Sequence, residues 1–493
     1  MQPIPCLASP ACRKLVSALV AATLLVSAGG CAQLPRLGPR PALKTVQELH
    51  SASSFSAPAS AWPGDNWWRA YGDPQLDTLI GDSLKDSPNL AIAQARMHAA
   101  AAAVQGASAT QLPEITGEAE FTEGKQSYNY LIPRQALPRG WHDYGQATLD
   151  LSWELDFWGK NRAALAAAVS ERKAAEVEVA QTRLILSTSV ASAYAELAHL
   201  YALRDFADQT LTLRAKTTDL FRQRQASGLE TVASVRQAEA RQAAAKGEVL
   251  TIEEDIGLQK NALAALLGAG PDRALAIRRP TARFAPAQGL PPSLALNLLG
   301  RRPDIVAARL QVEAAAQRIK EKKAGFYPSV NLVAFAGVES LGISNLTQSG
   351  SDLASAGPAI SLPIFNTRRL QGALRGARAE YDGAVANYNA TLTNALREVA
   401  DAETSRKSLT AELDTSAAGV TAAQDAYQAV NKRYQGGLAT YLDVLVAQDA
   451  LISAERNQAE LKTRALSLDI DLAGALGGGF SSQGQQALAA TSP

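Results

Sequence analysis

Gln146-Ala147-Thr148-Leu149-Asp150-Leu151-Ser152-Trp153-Glu154 alternates without a fault. Ala147, Leu149, Leu151 and Trp153 fall on one side of an extended chain, and Gln146, Thr148, Asp150, Ser152 and Glu154 on the other. The period of two predicts a strand. An apolar side ending in tryptophan, opposite a face of Asp, Glu, Thr and Ser, is how a barrel strand divides lipid from lumen. A half-exposed sheet in water would show the same period. Leu149, Leu151 and Trp153 are therefore the candidate lipid-facing residues. Glu114 to Phe121 alternates more weakly, and Ser329 to Ala336 and Gly357 to Ile364 are the other expected strands. The first pair brackets a polar loop, Thr122 to Tyr144, and the second a Gly/Ser-rich loop from about Val338 to Ser355.

Outward from the strands the chain changes character. No proline occurs between Pro138 and Pro271, or between Pro363 and Pro493. Proline breaks a helix interior at a cost of about 3 kcal/mol or more, so two very long helical regions are permitted. The first is expected from Asp156 to Ser227 and, past Gly228, from Leu229 to Leu267; the second from Asn366 to Gln435 and, past Gly436-Gly437, from Leu438 to Leu476. At about 1.5 Å per residue, the longer member of each pair spans on the order of 100 Å. Apolar residues recur at three- and four-residue steps: Leu186, Val190, Ala193, Leu197 and Leu200; Val249, Ile252, Ile256, Leu263 and Leu266; Leu461, Ala465, Leu468 and Leu472. Stripes this narrow suit coiled-coil seams better than one thick core.

The two stretches repeat each other. Arg96 and Arg309, Pro113 and Pro328, Trp158 and Phe365, and Gly228 and Gly437 recur at offsets between 207 and 215 residues. The expected organisation is a duplicated unit: helix, strand, loop, strand, long helix, glycine turn, helix. One copy covers 62–268 and the other 293–476, with a Pro/Gly-rich linker at 269–292. Residues 31–61 read as an extended tether, and the Gly/Gln/Ser/Ala-rich residues 477–493 as a disordered tail.

Residues 1–30 read as a secretory signal: Arg13 and Lys14 precede the apolar run Leu15 to Ala28, which exits through Gly29-Gly30 before Cys31. Cysteine directly after small residues resembles a bacterial lipobox, which makes Cys31 the candidate for a covalent lipid, although Ala28 stands where that motif prefers Leu. Cleavage beside a bystander cysteine is the alternative. Two of the three cysteines, Cys6 and Cys12, leave with the signal, so no internal disulfide is expected. The 493 residues carry 48 Lys+Arg against 47 Asp+Glu, which gives no long-range pull toward nucleic acid. Phosphate-loop, nucleophile-elbow and His-Glu-x-x-His patterns are absent, and four scattered histidines offer little for a metal. No cofactor and no enzymatic activity are expected.

Four strands cannot close a barrel alone, open sheet edges are not tolerated in hydrocarbon, and the smallest membrane barrels have about eight strands. Membrane-embedded strands would therefore have to be pooled among several copies. Against that background the sequence resembles the TolC/OprM-type outer-membrane efflux channels, lipoprotein branch. The resemblance rests on Trp67-Trp68-Arg69-Ala70-Tyr71-Gly72-Asp73-Pro74, Leu151 to Lys160, Arg301-Arg302-Pro303-Asp304-Ile305, Leu362-Pro363-Ile364-Phe365, and Tyr434-Gln435-Gly436-Gly437 with Tyr441-Leu442-Asp443-Val444-Leu445. It implies a mainly α fold with a small transmembrane β part. Three copies would form a homotrimer whose twelve-stranded β-barrel runs into a periplasmic α-helical barrel. It also implies a location in the outer membrane, a periplasmic adaptor protein and an inner-membrane RND-type pump as partners, and passive export of small molecules. A lipid-anchored periplasmic coiled-coil adaptor is the alternative, which a soluble Cys31→Ser chain would favour.

The same resemblance places a carboxylate ring at Asp443, which would form a negative constriction at the periplasmic end of the tunnel. Asp443 in a first helical turn is equally what a helix N-terminus favours. Tyr434 matches a tyrosine that latches the closed end in relatives. The latch's arginine is replaced by Ala439, a second ring acid by Val446, and an acid of the first-half turn by Ser234; Asp449 or Arg433 are the charged residues left to substitute. Gly228 and Gly437 mark the two helix turns expected to meet the adaptor, and glycine at such places also simply ends helices.

Overall fold

The computed structural model describes residues 34–50, 55, 58, 60–129, 133–281, 289–291 and 294–482. The signal and Cys31 lie outside them. The chain is mainly helical, with four strands: α1 Pro74–Asp86, α2 Pro88–Ala109, β1 Glu114–Gly124, β2 His142–Leu155, α3 Lys160–Ala226, α4 Val232–Leu266, α5 Asp272–Leu275, α6 Leu294–Arg301, α7 Pro303–Ala324, β3 Ser329–Leu341, β4 Asp352–Ser361, α8 Thr367–Gln435 and α9 Tyr441–Ala475. These build two compact units. One takes 98–173 and 309–386 with the described residues of 34–42, the other 43–97, 174–308 and 387–493. Each unit draws on both halves of the sequence.

In the first unit the strands form one antiparallel sheet in the order β1-β2-β3-β4. Leu151 pairs with Ile115 and Ala334, and Leu149 with Gly117 and Ala336, while Ala354 and Ala356 continue the same face. Leu149 is 62% exposed; Leu151 and Trp153 are half-buried, and the Trp153 indole donates to Gln111 O at 3.0 Å. β3 runs on to Leu341 and β4 starts at Asp352, so the second loop is shorter than expected, only 342–351. Ala354 and Ser355, expected in the loop, are paired across the sheet with Ala336 and Phe335. β4 stops at Ser361 rather than Ile364, because Pro363 has no N–H for a ladder.

The four helices that adjoin the sheet do so at the same end: α2 enters β1, β2 leaves into α3, α7 enters β3 and β4 leaves into α8. At that end Asp156 accepts from the Arg162 backbone N–H at 2.9 Å, so the long helix starts at Lys160 rather than Asp156. The expected tether is docked where it is described. Leu37 packs on Ile319, Phe326 and Leu374, and the buried Arg378 guanidinium donates to Pro39 O.

The second unit holds the larger core, in which Trp67, Trp68, Tyr71, Leu79, Ile80, Tyr194, Leu197, Leu263, Ile277 and Ile470 are buried. Asp73 organises it. Its carboxylate accepts from Gln75 N at 2.9 Å, capping α1, and from Tyr194 Oη and Thr281 N, each at 2.7 Å. The Thr281 bond and the buried Ile277 make this part of the expected linker a packed segment; residues 282–288 and 292–293 lie outside the description. The first two apolar rows lie as expected. On α9 Leu472 of the expected row is buried, whereas Leu461, Ala465 and Leu468 are half-buried; Leu466, Ile470 and Ala473 are the other buried residues of that stretch. Arg302 is buried and binds Asp304 and Glu398, each at 2.6 Å, and Ala475 O at 3.1 Å, which ties α7, α8 and α9 together.

The tail is not disordered over its first residues, 477–482. Gly478 N donates to Ala473 O at 2.9 Å, and a Cβ on Gly478 would lie 2.3 Å from the Leu184 side chain, with one on Gly479 equally close to Gly64. Glycine is required there by close packing, not chosen for flexibility. Residues 483–493 lie outside the description.

Candidate functional site

The two glycine turns share one geometry. Gly228 has φ +71° and Gly437 φ +74°, the left-handed region open to glycine. Leu229 N reaches back to Arg224 O, and Leu438 N to Arg433 O, both at 2.8 Å, closing α3 and α8 with the same six-to-one bond. The next helices then start later than glycine alone suggests, at Val232 and Tyr441. Thr231 and Thr440 accept from the backbone of Ser234 and Asp443 as N-caps.

Asp443 completes a capping box. Its Oδ2 accepts from Thr440 N and from Thr440 Oγ1, each at 2.7 Å. The carboxylate is exposed, and the Thr440 hydroxyl and amide hold its pKa below the ordinary aspartate range. Among the described residues its hydrogen bonds stay within its own cap.

Tyr434 is buried with Phe221, Val235, Ala238 and Val444. Its hydroxyl donates to Glu230 Oε1 at 2.8 Å, and the Arg224 guanidinium sits 4.6 Å from its ring centroid. Burial, and then the Glu230 carboxylate, push the phenol above its usual pKa. The sequence singles out Ser234 for its missing acid, but the acid that meets the tyrosine is Glu230, two residues past the glycine. The tyrosine's partner is thus an acid of the turn itself.

One layer further along, Asp449 on α9 takes the Arg214 guanidinium of α3 on one oxygen and Arg241 of α4 on the other, at 2.6 Å for Arg241. Arg214 also donates to the buried Gln448. Burial alone would raise the Asp449 pKa; the hydrogen bonds from Arg214 and Arg241 outweigh it and hold it below the usual range. Of the two charged substitutes considered, Asp449 joins helices, whereas Arg433 reaches only Leu438 O of its own turn at 3.3 Å. A signal for this cluster existed. Thr210, Arg214, Thr218 and Phe221 follow four- and three-residue steps on one buried face of α3, so polar residues interrupt an otherwise apolar stripe.

The turns themselves present apolar side chains outward: Leu229 is 65% exposed, Leu438 74% and Leu442 62%, with Val232 and Val446 alongside. The glycines mark the turns in the sequence; the exposed apolar residues beside them emerge only in the fold. The second unit thus gathers Tyr434, Asp443, Gly228 and Gly437 in one region, while Leu149, Leu151 and Trp153 belong to the sheet of the first unit.

The family described as outer membrane efflux protein matches residues 79–269 and 294–478. This chain belongs to that family. As an outer membrane efflux protein it is 31% identical over 476 residues to the multidrug resistance outer membrane protein MdtP of Escherichia coli K12, across 95% of this chain and 97% of the relative. It is 35% identical over 379 residues to the fusaric acid resistance protein FusA of Burkholderia cepacia, across 75% and 71% of the two chains. Among solved structures, the outer membrane protein VceC of Vibrio cholerae superposes with a TM-score of 0.81 at 47% identity, covering 85% of this chain and all of that one. The open state of the Neisseria gonorrhoeae MtrE outer membrane channel superposes at 0.74 with 25% identity, covering 92% and 99%. The chain is an outer-membrane exit duct of efflux systems.

Proposed function

We propose that three copies of this chain pool their sheets into a twelve-stranded barrel and act as a passive duct. Small molecules would pass through it from an inner-membrane RND-type pump and a periplasmic adaptor. The carrying observation is the sheet: four strands with two free edges, β1 and β4, an exposed apolar face around Leu149, and its four adjoining helices all at one end. Free edges and an apolar face are tolerated in lipid only when neighbouring copies close the ring. Leu149, Leu151 and Trp153 would then face hydrocarbon, and a lipid on Cys31 would add an anchor.

At the helix turns, three Asp443 carboxylates would form the negative ring of the gate. Tyr434 with Glu230 would hold the turns closed, and the apolar rim at Leu229, Leu438 and Leu442 would meet the adaptor. Gly228 and Gly437 are the pivots of that rim. The chain has no phosphate-loop motif, so energy for export comes from the partner pump. Purified full-length protein added to planar lipid bilayers is expected to give discrete, voltage-stable conductance steps. Protein that sits in the bilayer without conducting would overturn the duct.

A further inference from the structure

At the helix end of the sheet, Trp158 and Tyr327 stack with centroids 4.7 Å apart and planes at 16°. The indole is fixed by a hydrogen bond from Nε1 to Pro328 O at 2.8 Å. Phe157 is 64% exposed beside them, and Trp158 52%. The rings border a cleft of about 580 Å³ whose other wall is the last turns of α7, where Lys320 and Lys323 stand three residues apart on one helix face. Arg162 is a third cation in the lining, which contains no carboxylate. Arg162 is held by Asp156, but neither lysine has an ion-pair partner among the described residues. β2 ends at Leu155 and β3 starts at Ser329, so the cleft lies within a few residues of the strand ends.

We infer that this cleft binds the headgroup of an anionic phospholipid from the membrane leaflet facing the helices. Exposed flat aromatics beside unpaired ammonium groups fit neither water nor a free anion alone; they fit an amphiphile. The aromatic rings take the glycerol and upper acyl region, as interfacial Trp and Tyr do, and Lys320 and Lys323 take the phosphate. The depth is right because the hydrocarbon ends where the strands end. The inference rests on the proposed insertion of the sheet.

The test uses the full-length protein in non-ionic detergent, titrated with phosphatidylglycerol or phosphatidylcholine and read by native mass spectrometry. Phosphatidylglycerol is expected to bind preferentially. The exposed pair Lys320→Gln/Lys323→Gln should weaken it about fivefold per lysine, about twenty-fivefold in all, and leave phosphatidylcholine unchanged. Trp158→Ala should weaken both lipids. Unchanged phosphatidylglycerol binding in the double variant, or equal displacement by millimolar inorganic phosphate, would overturn the site. Retention of the same proteins in urea-washed membranes keeps the two readings apart. A parent protein extracted by urea contradicts the barrel, whereas lost lipid preference with retention intact is what the headgroup site predicts for the lysine variant.

Discussion

At the scale of single residues, the turn region combines one exposed acid with one bridged acid. Asp443 faces solvent and bonds only within its own cap. If three copies face a lumen, Asp443→Ala should weaken cation selectivity or block in single-channel recordings, and identical selectivity would contradict a ring role. Its removal should change stability little, because only its exposed bonds to the Thr440 cap are lost. Asp449 is the structural counterpart. Asp449→Asn leaves Arg214, only 9% exposed, facing a neutral amide, and should loosen the junction of α3, α4 and α9 by about 1–2 kcal/mol. The sign of the pH dependence follows from its depressed pKa. The clamp contributes fully above the unfolded carboxyl value of about 3.9 and is lost as pH falls through the lower folded value. Spin-label distances between α4 and α9 should therefore be constant from pH 8 to 5 and lengthen only below about pH 4; lengthening at pH 6 would refute the assignment.

At the scale of elements, what could be read from the sequence was what periodicity and proline control. The strand at Gln146 to Glu154, the two long helices and both glycine turns stand out because each depends on neighbours a few residues away. What could not be read depends on partners distant in sequence. Ala354 and Ser355 look like loop residues until Ala336 and Phe335 lie opposite them. Glu230 looks like a solvated acid until Tyr434 arrives from 204 residues away. Gly477 to Gly479 look like a flexible tail until Leu184 and Gly64 are seen against them. This last contact is testable. Ending the chain after Ser482 should leave the melting midpoint unchanged, while ending it after Leu476 should lower it by at least about 2–4 °C, roughly the effect of 1 kcal/mol in a domain of this size. Equal midpoints would mean the glycine contacts contribute nothing.

At the scale of the whole molecule, the arrangement of chemistry is that of a conduit. The sheet leaves an apolar face around Leu149 exposed, and the helices carry buried polar clusters near their turns. A balanced charge of +1 gives the protein no long-range pull toward a polyanion. The proposed trimer accounts for these features together, because a four-stranded sheet with free β1 and β4 has no stable place in a bilayer. Within one chain β1 and β4 are three strand spacings apart, about 14 Å, beyond the reach of a disulfide. Between chains of a closed ring they are neighbours. The most direct test pairs single cysteines along 116–120 with single cysteines along 354–358 and oxidises the full-length protein in outer membranes. The account predicts that at least one pairing yields a ladder ending at a covalent trimer. Monomer alone from every pairing, with the protein still in the membrane, would contradict it.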